Sequence, residues 1–125
     1  MFLDTTILVE VLKGNKKVLD YVENVAEKEP LLFSVVQVGE LADWCYNNKL
    51  DPAKVLEEVK STATVTGITE GMCIEGSKIK NEQRKAGKNK FSLLDGFIIA
   101  SANNFEQKLL TTDPDFEGLD NVTIS

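Results

Sequence analysis

Histidine is absent from this chain of 125 residues. Its absence excludes Ser–His–Asp and Cys–His nucleophilic sites, imidazole general bases and zinc sites with histidine ligands. Cysteine is scarce too, and the two thiols, Cys45 and Cys73, lie far apart without a C-x-x-C spacing. We expect both to be reduced core side chains. Any chemistry must therefore come mainly from carboxylates, hydroxyls, amines or these thiols.

Long apolar runs are also missing. No stretch approaches the roughly 18 apolar residues of a membrane span, and the chain reaches Asp4 without a basic leader. We therefore expect a cytoplasmic protein that does not contact a membrane.

Proline and glycine are too few and too scattered to form a linker, with three and eight residues respectively. We expect a single domain over residues 1–125, since this length suits one domain. The net charge of −6 argues against a protein that coats nucleic acid. It leaves room for an enzyme that acts on nucleic acid locally.

Short apolar stretches alternate with longer helical patterns along the chain. Strands are predicted at residues 2–3, 31–33, 63–66, 109–112 and 122–124. Helices are predicted at residues 7–12, 18–27, 34–46, 69–85 and 92–105, and another begins at Asp51-Pro52. Ser34 and Gln37 have the spacing of a capping box. This alternation favours an α/β fold with a mostly parallel sheet covered on both faces.

Acidic residues follow two of the predicted strands. Asp4 follows the first strand, and Asp113 and Asp115 follow the fourth. Ligands of open parallel sheets bind beyond the carboxyl ends of the strands. We therefore expect these acids at the same edge of the sheet.

Asp95 lies at the start of the strongest predicted helix. Its spacing from Ser92 is that of a capping box, so the carboxylate could simply cap the helix. It also precedes Ile98, Ile99 and Ala102 on the buried stripe of that helix. A buried charge is normally paired or bound to a metal. A site shared with other carboxylates and a cation therefore explains Asp95 better than a cap alone.

Glu40 lies on the helix that follows the second strand. Val35, Val38, Ala42 and Cys45 are predicted to form the buried stripe of this helix, with Glu40 on its flank. Such a glutamate is most often a solvated helix residue. Its interest comes from the position of its helix, which starts where the second strand ends.

The electrostatic repulsion between carboxylates that lie close together must be offset by another group. Two of them about 5 Å apart repel by roughly 3 kcal/mol at an effective dielectric constant of about 20. A divalent cation removes this penalty, and ligation by oxygen alone favours Mg²⁺ or Mn²⁺. A carboxylate-bound metal suits phosphoryl-transfer hydrolysis, because it activates water without a histidine base.

Four segments carry a family resemblance. They read FLDTT at 2–6, SVVQVGE at 34–40, LDGFIIA at 94–100 and TTDPDF at 111–116. With them, the sequence resembles the PIN-domain ribonucleases, and most of all the VapC-type toxins of prokaryotic toxin–antitoxin pairs. The resemblance spans essentially the whole chain. It implies a three-layer α/β/α sandwich and a metal-dependent endoribonuclease that hydrolyses RNA phosphodiester bonds.

The resemblance also implies roles for individual residues. The family's four acids match Asp4, Glu40, Asp95 and Asp113, which would be the catalytic residues and the ligands of Mg²⁺ or Mn²⁺. Asp115 is an alternative fourth acid. Thr5 and Thr111 would hydrogen-bond an acid, although helix capping and β propensity explain them equally well. The implied partners are an RNA substrate, a second copy of the chain and an antitoxin protein.

Basic residues concentrate before the Asp95 helix. Residues 78–90 hold six of the 14 basic side chains: Lys78, Lys80, Arg84, Lys85, Lys88 and Lys90. Such a run can be a solvated helix end. The functional interpretation is a rim that contacts RNA phosphates through Lys85, Lys88 and Lys90.

Large apolar residues accompany Glu40 on its helix. Leu41, Trp44 and Tyr46 are expected in the core, and the alternative is an exposed patch for a partner.

Three other functions are alternatives for an acidic α/β chain of this length. A receiver domain needs paired acids after its first strand, where only Asp4 stands. A dehalogenase-type phosphatase needs a second aspartate two residues after its nucleophile, where Thr6 stands. A non-catalytic PIN-fold module that binds RNA or protein is the more serious alternative, although the presence of all four acids argues against it.

Overall fold

The computed structural model describes residues 1–124, within which it has five strands and six α-helices. The strands are β1 (Phe2–Leu3), β2 (Leu32–Ser34), β3 (Thr64–Thr66), β4 (Leu109–Thr111) and β5 (Asn121–Thr123). The helices are α1 (Thr5–Leu12), α2 (Lys16–Ala26), α3 (Val35–Asn47), α4 (Pro52–Lys60), α5 (Glu70–Lys85) and α6 (Leu93–Asn104). A single 3₁₀ turn among these residues spans Pro114–Phe116. Each predicted element is present, with bounds within two residues of those predicted.

The sheet has the strand order β3-β2-β1-β4-β5, and each neighbouring pair is parallel. The chain builds outward from β1 to β2 and β3, then returns to the other side of β1 to form β4 and β5. The strand order therefore reverses between β1 and β4, and the crevice beyond their carboxyl ends is where ligands bind in such folds.

Side chains alternate across the two faces of the sheet, as the pleat of a strand requires. Leu3 and Leu110 point into a core shared with α1, α2, α3 and α4. Phe2 and Leu109 point the opposite way, into a core formed with α6 and partly with α5. These two cores on one sheet confirm the three-layer α/β/α sandwich.

The α5 and α6 helices approach each other closely at two glycines. A Cβ atom on Gly96 would lie 2.1 Å from the carbonyl oxygen of Gly76. A Cβ atom on Gly76 would lie 2.9 Å from the backbone of Gly96 and Phe97. Only two residues without side chains allow this contact, which places the first turn of α6 against α5.

The buried stripe predicted for α3 was partly wrong. Val35 is 45% exposed, whereas Gln37, Leu41 and Cys45 face the core. The Ser34 cap starts the helix at Val35 and turns its first residue outward, so the buried positions are spaced four residues apart.

The expectation of core positions for the large α3 residues holds for Leu41 and for Trp44, which packs partly buried against the core. It was wrong for Tyr46, which is 71% exposed near the end of the helix. Cys45 and Cys73 are both free thiols, but only Cys45 is fully buried. None of the helices in residues 1–124 has the length and apolar character needed to cross a bilayer.

Candidate active site

Asp4 lies at the carboxyl end of β1, where the strand order reverses. Its amide donates to the carbonyl of Leu110 on β4 over 2.9 Å, so the backbone fixes its position. Its buried side chain caps α1 by accepting from the amide of Thr5 at Oδ1. Oδ2 accepts from the hydroxyls of Thr6 and Thr111, over 2.9 and 2.7 Å. Both oxygens of the carboxylate are therefore held by donors from β4 and α1.

The same two threonines connect Asp4 to the segment after β4. Thr111 Oγ1 accepts from the amide of Asp113 over 2.9 Å, and Thr6 Oγ1 accepts from the amide of Thr112 over 3.2 Å. Each hydroxyl thus donates to Asp4 and accepts from the backbone that leads to the other acids.

Glu40 reaches the site from α3, half-buried. Its Oε1 accepts from the Thr5 hydroxyl over 2.7 Å. Since Thr5 follows Asp4 directly, this bond brings a carboxylate of α3 to the end of β1. The Thr5 hydroxyl also lies 3.3 Å from Nε2 of Gln37, a fully buried side chain.

Asp95 does form the capping box that its spacing predicted. Its Oδ2 accepts from the amide of Ser92 over 2.8 Å, while its own amide donates to the Ser92 hydroxyl. The charges of Asp113 and Asp115 nevertheless reach this carboxylate and raise its pKa. Asp95 therefore caps α6 and belongs to the acidic site at the same time.

Asp113 and Asp115 are joined by the 3₁₀ turn that follows β4. Oδ1 of Asp113 accepts from the amide of Asp115 over 2.9 Å and caps the turn. Both side chains are half-buried, and the negative charge of each raises the pKa of Asp95. The structure brings both acids to the site and does not distinguish which is the fourth.

Burial and mutual repulsion raise the pKa values of three of these carboxyls. For Asp4 the largest cause is burial, opposed by its hydrogen bonds to Thr111, Thr6 and Thr5, and the charge of Asp95 raises the pKa further. For Glu40 burial again leads, opposed by Thr5, and the charges of Asp4 and Asp95 add to the increase.

For Asp95, burial is the largest cause, its bonds to Ser92 oppose it, and Asp113 and Asp115 add repulsion. None of the causes of these three shifts is a cation. Asp4, Glu40 and Asp95 therefore interact as negative charges, and no basic side chain lowers the pKa of any of these three carboxyls.

A sequence profile of the PIN domain matches residues 1–122. The chain belongs to the PIN domain family. Its three-layer fold is the one that the resemblance implied, and the recognition of the family from four short segments is confirmed. Comparison with curated proteins gives no match.

Solved structures share the fold of this PIN domain over almost its full length. A toxin–antitoxin complex from Klebsiella pneumoniae is 21% identical with a TM-score of 0.78, covering 98% of this chain and 95% of the other. VapBC2 from Rickettsia felis, bound to a DNA fragment from its promoter, is 16% identical with a TM-score of 0.80 and coverages of 99% and 96%. FitAcB from Neisseria gonorrhoeae is 22% identical with a TM-score of 0.72 and the same coverages. At these identities the likeness shows the fold.

The donors of this PIN domain fit a divalent metal in their chemistry. They are all carboxylate oxygens, the hard ligands that Mg²⁺ and Mn²⁺ prefer, and they carry repulsion that a cation relieves. Within residues 1–124, however, no three acidic or thiol side chains are already placed as a group that could hold a metal ion. The Asp4 carboxylate is bonded to Thr111 of β4 and the Glu40 carboxylate to Thr5 of α1, whereas Asp95 is bonded within the cap of its own helix.

The basic segment of the PIN domain divides into two parts. Lys85 and Lys90 are exposed. Lys88 is half-buried, and its ammonium donates to the backbone carbonyl of Glu117. Arg84 donates to the carbonyl of Phe91 over 2.6 Å, just before the α6 cap. Lys88 and Arg84 thus hold the loops that flank the acids, while Lys85 and Lys90 remain the exposed candidates for contact with RNA.

Two residues of the site were missed by sequence reasoning. Thr6 binds Asp4 but was noticed only as part of a motif, and Gln37 was noticed only as a capping residue. The sequence held a signal for each. Thr6 is the second hydroxyl after Asp4, and Gln37 lies three residues before Glu40 on the next helix.

Proposed function

We propose that this PIN domain is a metal-dependent endoribonuclease that hydrolyses RNA phosphodiester bonds, with Mg²⁺ or Mn²⁺ held by Asp4, Glu40, Asp95 and Asp113. Nucleases are the enzymes of the PIN domain family, which gives the reaction class. The observation that carries the proposal is the convergence of Asp4, Glu40 and Asp95: Glu40 is bonded to the Thr5 that follows Asp4, and the charge of Asp95 reaches both carboxyls. These acids come from three separate elements, and burial raises the pKa of each. The charge of Asp95 raises the pKa values of Asp4 and Glu40 further.

This arrangement is costly unless it serves a purpose. Buried carboxylates that repel each other oppose folding, and the fold could relieve them with one lysine or arginine. Within the described residues, none lowers these three pKa values. The site is therefore one in which a bound cation compensates the acids.

Each acid has a defined task in this proposal. A bound Mg²⁺ or Mn²⁺ would lower the pKa of a water molecule and neutralise charge on the phosphate. Asp4 is the most rigid donor, because three hydrogen bonds hold its two oxygens. Asp95 is fixed by its cap through Oδ2. Glu40 is anchored at Oε1, and it serves as a ligand or orients the attacking water.

The substrate and partners complete the proposal. Exposed Lys85 and Lys90 would contact RNA phosphates beside the acids. The similar structure from Klebsiella pneumoniae is a toxin–antitoxin complex, and on that ground we propose that this protein is a toxin with an antitoxin partner. A mostly apolar cavity of about 210 Å³, lined by residues of α1, α2 and α4, offers room for an apolar side chain of that partner.

A homodimer is proposed from the resemblance together with two exposed apolar side chains. Tyr46 on α3 and Ile74 on α5 are 71% and 73% exposed. Burying such side chains against a second copy would be favourable. We propose that the reaction takes place in the cytoplasm.

The alternative is a non-catalytic PIN-fold module that binds RNA or protein. The observation in its favour is that no three acids of residues 1–124 already form a metal-binding group. Such a module would keep the fold and bind without cleaving.

The test is cleavage of a mixed, structured RNA in Mn²⁺ or Mg²⁺ and then in EDTA. The wild type is compared with Asp95→Asn and with Asp120→Asn, which changes an exposed acid outside the site. We expect cleavage by the wild type and by Asp120→Asn that stops in EDTA and in Asp95→Asn. Cleavage that persists in Asp95→Asn or in EDTA would reject the assignment. A folded wild type that binds RNA with metal present but never cleaves it would favour the binding module.

A further inference from the structure

Gln37 is a polar side chain with no exposure, and its carboxamide touches three parts of the fold. Oε1 accepts from the amide of Ser34 over 2.8 Å. Nε2 donates to the carbonyl of Leu3 over 2.7 Å and to the hydroxyl of Thr5 over 3.3 Å. One side chain thus satisfies the end of β2, the end of β1 and the first residue of α1.

The chemistry of the neighbours fixes the orientation of this amide. The Ser34 amide can only donate and the Leu3 carbonyl can only accept, so Oε1 must face the first and Nε2 the second. The second proton of Nε2 then points toward Thr5. In the opposite orientation, the Gln37 NH2 group would face the Ser34 amide, and the Gln37 oxygen would face the Leu3 carbonyl.

This orientation also fixes the direction of the Thr5 hydroxyl. A hydroxyl has one proton. Because Nε2 of Gln37 can only donate, the Thr5 proton cannot point at it and points instead at Oε1 of Glu40, 2.7 Å away. The protons along this chain of bonds therefore all point from Gln37 through Thr5 toward the carboxylate.

We propose that Gln37 is a positioning residue of the active site, which directs the Thr5 hydroxyl at Glu40 and thereby holds that carboxylate in place for a divalent cation. The metal-binding part rests on the proposed function. The hydrogen-bond chain itself does not, because the bonds from Gln37 to Thr5 and from Thr5 to Glu40 involve protein atoms alone.

A capping role alone does not account for the glutamine. The third position of a capping box accepts either glutamate or glutamine, since only the side-chain oxygen is used. At this site, the Nε2 donor is used twice, by Leu3 and by Thr5. Glutamate would cap the helix equally well but would offer neither donor.

The first test is nuclear magnetic resonance of the metal-free protein, with Thr5→Val as the variant and Thr5→Ser as its matched control. We expect Thr5→Val to shift the Gln37 side-chain amide protons and the Glu40 Cδ signal together, because it breaks both bonds of the Thr5 hydroxyl. Thr5→Ser keeps the hydroxyl and should shift neither by a comparable amount. A Glu40 signal that moves while the Gln37 amide does not would show that the two are unconnected and would overturn the proposal.

The second test is a double-mutant cycle read by Mn²⁺ binding, measured by calorimetry. We expect Gln37→Met and Thr5→Val each to weaken Mn²⁺ binding by about tenfold, the size of a lost hydrogen bond to a charged group. The double variant should bind no more weakly than Thr5→Val alone, because Gln37 acts through Thr5. Independent, multiplying losses would contradict this.

Ser34→Ala is the control for capping, because it removes the side-chain cap of α3 and leaves the Gln37 bonds intact. It should lower the melting temperature without changing Mn²⁺ affinity. A matching loss of affinity in Ser34→Ala would reduce Gln37 to a structural residue. A wild type that binds no Mn²⁺ would reject the proposed function, and the metal-free spectra would still decide whether Gln37 positions Thr5 and Glu40.

Discussion

The hydroxyl of Thr111 donates a hydrogen bond of 2.7 Å to Oδ2 of Asp4. Thr111 ends β4 and Asp4 follows β1, so the bond joins two neighbouring strand ends at the point where the strand order reverses. Both residues are buried. The bond therefore stabilises a charge that burial disfavours, and it does so at the centre of the candidate site.

Thr111→Val, which keeps the shape and removes the hydroxyl, is expected to lower the free energy of unfolding by about 1–3 kcal/mol at neutral pH, the range for a lost bond to a buried group. It should also raise the pKa of Asp4 further, since burial remains while a donor is lost. Urea unfolding and a ¹³C titration of Asp4 measure both effects. Thr64→Val, at an exposed position of β3, is the control and should stay within about 0.5 kcal/mol of the wild type. Equal effects of the two substitutions would contradict this role of Thr111.

Gly96→Ala is expected to lower the free energy of unfolding by about 3 kcal/mol, the upper end of the usual cost of overpacking. Its new methyl group would meet the Gly76 carbonyl oxygen at 2.1 Å, and backbone cannot yield as a side-chain end can. Gly39→Ala is the matched control, because the position lies on α3 with nothing within 4 Å, and alanine there should stabilise by about 0.5–1 kcal/mol. Chemical denaturation of both variants decides. A neutral Gly96→Ala would show that α5 and α6 can separate at no cost.

The contact between Gly76 and Gly96 could not be predicted from the sequence. The elements and the sheet were predictable, because short apolar strands and capped helices are local patterns. Gly76 and Gly96 lie 20 positions apart on different helices, and only the packed fold shows that each needs the other. The exposure of Val35 was missed for a similar reason, since the cap at Ser34 sets the rotation of α3.

The pH dependence of stability follows from the raised pKa values of Asp4, Glu40 and Asp95. Between the ordinary values of 3.8 for Asp and 4.5 for Glu and the raised ones, the folded state holds more protons than the unfolded chain. The protonation of these three carboxyls contributes its full stability when the pH lies below their ordinary pKa values. That contribution is lost as the pH rises through their raised pKa values in the folded state. In EDTA, Asp95→Asn should therefore gain stability relative to the wild type as the pH rises.

Thermal unfolding of both proteins from pH 4 to pH 8 measures this difference, and Glu10→Gln is the control. The pKa of Glu10 is lowered, chiefly by its bond to Asn15, so the pH dependence of Glu10→Gln relative to the wild type should have the opposite sign. If the stability difference between Asp95→Asn and the wild type does not change with pH, the pKa of Asp95 is not raised in the folded protein.

Replacing Lys85 and Lys90 with glutamine should weaken RNA binding and flatten its salt dependence. Each lost contact with a single-stranded phosphate lowers the slope of log K against log salt by about 0.7. Fluorescence anisotropy in the Asp95→Asn background, over a salt series, measures binding without cleavage.

Lys88→Gln is the informative comparison, because the Lys88 ammonium is engaged by the Glu117 carbonyl. It should act mainly on the melting temperature. If the Lys85 and Lys90 substitutions leave the salt slope unchanged, the basic segment is only a solvated helix end.

Some of the contacts that hold the acids were expected from the sequence, namely the Asp95 cap and the bonds of Thr5 and Thr111 to an acid. The bonds of Thr6 and of the Gln37 amide donor were not expected. That Asp4 and Asp113 follow strands is visible in the chain, and a parallel sheet brings such residues to one edge. The connection from Gln37 through Thr5 to Glu40 spans three elements and depends on side-chain orientation. Lys88 was expected at the RNA rim, and only the position of the Glu117 carbonyl shows that it also has a structural partner.

The most direct test of the account is the location of Mn²⁺ in crystals of the wild type, found by anomalous scattering at the manganese edge. We expect a peak among the carboxylates of Asp4, Glu40 and Asp95, with Asp113 or Asp115 nearby. The exposed acids Asp20, Glu23 and Glu27 on and after α2 provide a competing surface where Mn²⁺ could bind through charge alone. Manganese found only there, or at no site while the strand-end acids stay in their hydrogen bonds, would contradict the proposed metal centre.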